Sequence, residues 1–80
     1  MSQVWVEVQT SLRDRIEKND WDIWIRPLTY KRADAQALVL AVPNRYFGDW
    51  VRETYLSVIQ EEVARIAGAS LDIRFEVHKT

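Results

Sequence analysis

The sequence predicts an α+β domain with the order α-α-β-β-α-β, a three-stranded sheet whose helices pack on one face. Three observations carry that expectation. Val4, Val8, Leu12 and Ile16 recur every fourth residue, Arg45 to Ala67 reads as one long helix, and Leu71 to Val77 alternates apolar with polar.

The first helix is amphipathic, with Arg13, Asp14, Glu17 and Lys18 on its wet side. Trp5 lies within the apolar stripe but in the first turn, so it reads equally as an edge-of-core aromatic or as an interface residue. A short second helix follows. Asn19 is its expected N-cap, with Asp22 completing an acidic variant of the capping box. Trp21, Trp24 and Ile25 share its inner face, and Pro27 is expected to end it by turning Arg26 out of helical geometry. Asp20, in the first turn, suits the positive end of the helix dipole.

Leu28 to Ala33 and Ala37 to Val42 read as strands joined by a turn at Asp34-Ala35-Gln36. Pro43 ends the second, and Asn44 caps a helix of about 23 residues, ~35 Å long, that stops at Gly68. Its core face runs through Phe47, Val51, Tyr55, Val58 and Ile66, with Ile59 at the edge. Glu62 falls on that face and is expected beyond the end of the core, because a buried unpaired carboxylate is costly. Tyr46 points away from the core face. Trp24 and Trp50 are expected to be largely buried. The last strand, if parallel to the second, makes the long helix a crossover between them.

The 80 residues form one domain, 1–80, with no repeat or linker. Lys and Arg total 11 against 12 Asp and Glu, for a net charge of -1. A domain dedicated to gripping phosphates is normally basic, so nucleic acid is disfavoured as the main ligand. Cysteine is absent, which removes disulfides, thiolate metal sites and cysteine nucleophiles. No membrane-spanning run or signal peptide is visible.

The sequence offers no catalytic constellation. His78 is the only histidine and sits at the end of the last strand; the serines have no histidine near them in sequence, and Gly48 and Gly68 are the only glycines, too few for a phosphate loop. The same shortage excludes the GXXG loop of KH domains, which the layout otherwise resembles. Arg45, Arg52 and Arg65 are interspersed with Asp49, Glu53 and Glu61, so the long helix has no basic stripe.

Trp24-Ile25-Arg26-Pro27-Leu28, Val42-Pro43-Asn44-Arg45-Tyr46, Asp49-Trp50-Val51-Arg52 and Tyr55-Leu56 together resemble the N-terminal domain (domain I) of the bacterial replication initiators of the DnaA family. The similarity runs to the closing Ile73-Arg74-Phe75-Glu76-Val77. It implies a protein-interaction module and no enzyme, acting in the bacterial cytoplasm at the nucleoid. The implied partners are a second copy, the replicative helicase, initiation regulators and, weakly, single-stranded DNA.

By resemblance, Trp5 matches the self-association position, while Asp20 and Tyr46 match the acidic and aromatic positions that contact helicase and regulators. Family members commonly carry Glu and Phe there, so Asp20 is a methylene shorter and Tyr46 adds a hydroxyl. ATP is expected only in an ATPase domain that lies outside these residues, and the chain is then a fragment or a stand-alone paralogue. Two alternatives stand beside this reading: a weak single-strand-binding module, and the same interaction module attached to another replication or regulatory protein.

Overall fold

The computed structural model describes residues 2–78. Its elements are α1 (Ser2–Leu12), α2 (Lys18–Asp20), a π-helical turn (Trp21–Ile25), β1 (Thr29–Ala33), β2 (Ala37–Val42), α3 (Arg45–Ala67) and β3 (Asp72–Val77). The sheet order is β1-β2-β3, with β2 antiparallel to β1 and parallel to β3. The expected α+β order and three-stranded sheet are thus observed, and α3 connects the parallel pair.

The long helix forms where its signals place it. Asn44 Oδ1 accepts from Phe47 N–H at 2.8 Å, and Gly68 ends the helix in the left-handed region at φ 75°. Such a cap is worth about 1 kcal/mol. Gly48 lets the start of α3 close on β2: a Cβ there would lie 3.1 Å from Val42 Cγ2. The Asp34 turn also forms, its carboxylate accepting from the backbone N–H of Gln36 and Ala37. β1 begins at Thr29, one residue later than expected, and carries an irregularity between Tyr30 and Arg32.

The core joins Val8 and Leu12 of α1, Ile25 of the π-helical turn, Leu38 and Leu40 of the sheet, and Val51, Ile59 and Val63 of α3. Ile59 is fully buried rather than marginal, and Val63 is a core residue that the periodic reading omitted. α1 stops at Leu12, short of Ile16. The chain tightens there into i→i+3 bonds, Arg13 N–H to Thr10 O among them, and a turn still delivers Ile16 to the core.

The second helical segment departs most from expectation. Glu17, not Asn19, occupies the N-cap, and no side-chain cap bond forms. Arg26 keeps helical dihedrals, φ -56° and ψ -41°, and its N–H reaches Trp21 O at 2.9 Å, an i→i+5 bond. The widened turn lets helical winding continue to the proline, whose ring would otherwise press on the preceding turn. It also separates two tryptophans. In a regular α-helix Trp21 and Trp24 project about 60° apart; here Trp21 faces α1 and Trp24 faces α3.

Glu62 lies within the core region, not past its end. Burial is tolerable because the carboxylate is paired: Arg65 donates at 2.8 Å, Arg15 at 3.2 Å, and the Ser11 hydroxyl also donates to it. Arg65 and then Ser11 hold its pKa down at about 2 against the opposing effect of burial. This network ties the end of α1 to α3.

β2 is buried on both faces. On the outer face Lys31 and Arg32 reach across it to Glu76, each at 2.7 Å. Strands two apart are separated by about 10 Å, so long side chains are needed, and the small Ala41 leaves them room. Arg32 foremost, with Lys31, holds Glu76 at about 2. On the inner face of β3 burial fades along the strand: Ile73 is buried, Phe75 half-buried, and Val77, expected to be dry, is 44% exposed.

Candidate protein-interaction surface

The first turns of α3 present Tyr46, 86% exposed, and one turn later Trp50, 48% exposed. Trp50 was expected inside. It sits outside because it shares the outward stripe of Tyr46 at i+4, while its neighbour Val51 takes the core position. Trp24, expected to be largely buried, is packed against the core with part of its ring left to solvent. Its ring lies 5.1 Å from Phe47 and 5.5 Å from Trp50, centroid to centroid, in tilted arrangements. Ile23, beside it in sequence, is also exposed. The result is an aromatic patch bridging the π-helical turn and α3, open to solvent on one side.

Asp20 stands one turn before Trp24 and is half-buried. Among the described residues it makes no ion pair. Its charge is nonetheless felt at α3: burial first, then Asp20 and Glu17, raise the pKa of the Tyr55 phenol. Tyr46 lies on the same outward stripe of α3 as Trp50, one turn before it. Asp20 lies one turn before Trp24 and close enough to α3 to act on Tyr55.

Trp5 is placed elsewhere. It is only 2% exposed, packed in the core, and its indole N–H donates to Leu28 O at 3.3 Å. The apolar side chain α1 does present to solvent is Val6, 59% exposed.

The surface holds acceptors, donors and aromatic faces but no nucleophile–base pair. Among the described residues no group of three or more His, Asp or Glu is placed to hold a metal ion, and no helix is long and apolar enough to cross a membrane.

Residues 2–65 match the model of the DnaA N-terminal domain. The chromosomal replication initiator proteins DnaA of Citrifermentans bemidjiense and of Geobacter sp. strain M21 are each 35% identical to this chain over 77 residues, 96% of it. That of Geotalea daltonii is 26% identical over the same length. The chain spans 17% of the length of these relatives. A crystal structure of a HobA–DnaA (domain I–II) complex from Helicobacter pylori contains the same fold. Its TM-score is 0.79 at 15% identity, covering 91% of this chain and 95% of that one. The chain belongs to the DnaA N-terminal domain family.

Proposed function

We propose that residues 1–80 form a single protein-interaction module of a replication initiator, docking the replicative helicase and initiation regulators at the chromosome in the bacterial cytoplasm. The observation that carries this reading is the exposed Tyr46–Trp50–Trp24 patch, with Asp20 one turn before Trp24. Exposed clustered aromatics mark binding surfaces, and Tyr and Trp dominate hot spots. Tyr46 and Trp50 supply the apolar anchor, and Asp20 offers a charge-assisted acceptor that sets orientation. A domain of the same fold was crystallised with HobA, which supports a docking role for the domain as a whole.

Self-association belongs to the same reading. Since Trp5 is internal, its part is to set α1 against the core so that the surface around Val6 is presented to a second copy. Single-strand binding is the lesser role, because Lys31 and Arg32 on the outer sheet face are already paired with Glu76.

Calorimetry of the wild-type chain, Asp20→Ala, Tyr46→Ala and Trp50→Ala against the replicative helicase tests the docking surface. The expected result is weakened binding in all three with the fold retained. Three variants that bind like wild type would remove this face from the interaction.

A further inference from the structure

We propose that β3 is a second self-association edge, through which two copies of this chain join their sheets antiparallel about a two-fold axis at Phe75. The inference rests on the self-association part of the proposed function and assigns it a surface separate from α1.

The backbone sets the geometry. Asp72 N–H donates to Gln36 O and His78 N–H to Val42 O, and β3 pairs with β2 in one unbroken register. Alternation then points the N–H and C=O groups of Asp72, Arg74, Glu76 and His78 towards β2, and those of Ile73, Phe75 and Val77 towards the open edge. β1, the opposite edge, is interrupted by the irregularity between Tyr30 and Arg32, a common protection against strand addition. β3 has no such interruption. The apolar residues that flank this edge are incompletely covered: Phe75 is half-buried and Val77 exposed. A groove of about 280 Å³ lies between them and Arg45, Asp49 and Arg52 of α3, leaving space for an incoming side chain.

Charge selects the partner. An added antiparallel strand must set its own outward-facing groups against Ile73, Phe75 and Val77. For a second β3 two registers give the greatest overlap. One places Arg74 opposite Arg74 and Asp72 opposite Glu76, which sets like charges face to face at every charged position of the outer face. The other centres on Phe75. It sets Phe75 against Phe75 and Ile73 against Val77 on the helix-covered face, with Arg74 opposite Glu76 and Asp72 opposite His78 on the outer face. Every pair is then complementary. Arg74, which makes no ion pair among the described residues, gains one, and Glu76 adds a partner to those it already has. The strand is self-complementary in that register alone.

The test is sedimentation equilibrium of the chain at rising concentration. Val77→Pro removes an outward N–H without touching the bonds to β2 or the core, the placement proline tolerates on edge strands. It should weaken association about tenfold or more. Arg74→Glu and Glu76→Arg should each weaken self-association similarly, since each sets like charges face to face. Mixing the two variants restores both pairs and should return association to near the wild-type level. Circular dichroism checks that each is folded. If Glu76→Arg does not fold, Val77→Pro and Arg74→Glu decide the matter without it. If the wild type associates and those two associate equally tightly, the β3 edge is wrong and the α1 surface carries self-association. If the wild type stays monomeric at millimolar concentration, the self-association reading itself fails along with this edge.

Discussion

Gln9 and Trp21 cap each other's helical segments. The Trp21 indole N–H donates to the Gln9 backbone carbonyl at 2.9 Å. That carbonyl is available because Arg13 N–H has turned to Thr10 O instead. In return the Gln9 side-chain amide donates to Ile25 O and Leu28 O, each at 3.2 Å. Helix ends leave such carbonyls short of intrahelical partners. Gln9 O is met by the Trp21 indole, and Ile25 O and Leu28 O, which also accept from Leu28 N–H and the Trp5 indole, take the Gln9 amide as a second donor. The Arg13 guanidinium, 5.2 Å from the Trp21 ring centroid, covers the indole from outside.

Breaking this clasp should destabilise the fold measurably. Gln9→Leu removes the second donor from Ile25 O and Leu28 O, which keep the Leu28 N–H and the Trp5 indole N–H, and should cost about 1 kcal/mol. In a domain of this size that lowers the melting temperature by roughly 4–8 °C per kcal/mol. Trp21→Phe should cost a similar amount. A thermal melt that matches wild type for both variants would show that the clasp contributes nothing.

Trp50→Ala should separate binding from stability. The side chain is half-exposed, so its loss should cost only about 1 kcal/mol of folding free energy, against about 3–5 for a buried tryptophan. Helicase binding should fall at least tenfold. Unfolding of this variant at room temperature would return Trp50 to the core.

Trp5→Ala should behave in the opposite way. The indole is buried and hydrogen-bonded, and truncation should cost about 3–5 kcal/mol, much of the stability of a small domain. Loss of self-association in that variant would then follow from unfolding. Trp5→Phe keeps most of the packing, and it should melt close to wild type and associate normally. A folded Trp5→Phe chain that no longer associates would place the indole itself at the contact.

Acid should loosen the junction of α1 with α3. Glu62 has its folded pKa lowered from 4.5 to about 2, mainly by Arg65 and then Ser11. A depressed folded value means that the carboxylate's contribution is complete above pH 4.5 and is lost as pH falls towards 2. Glu76, lowered to about 2 by Arg32 and Lys31, adds in the same direction. Urea midpoints should therefore fall across that window. Glu62→Gln should be less stable at neutral pH and show a shallower acid decline. An unchanged pH profile in that variant would exclude Glu62 as a contributor.

The parts of the fold legible from sequence are those governed by local rules. Asn44, Gly68 and Asp34 act on their own neighbours in the chain, and the caps and turn stand where those residues put them. Tyr46 was assigned outward from helical phase alone and is exposed. The same phase places Trp50 one turn along on the same stripe, so its position, and not the size of its indole, decides its exposure. Glu62 could not be located from its own helix, because what makes its burial tolerable, Ser11 and Arg15, comes from the end of α1. The π-helical turn was hidden for a similar reason: Trp21 and Gln9 are distant in sequence, and regular spacing predicts one shared face where the fold uses two.

The π-helical turn acts as a phase shifter between two jobs. An α-helical version of this segment would turn Trp21 and Trp24 towards a common direction, so that holding α1 and meeting α3 would compete for one face. The i→i+5 bond from Arg26 to Trp21 rotates them apart and lets one short stretch of chain do both. Deleting a single residue between Trp21 and Ile25, even an exposed one, should then swing Trp24 out of line with Trp50 while every side chain of the patch is still present. The aromatic patch is thus sensitive to the length of this segment as well as to its composition.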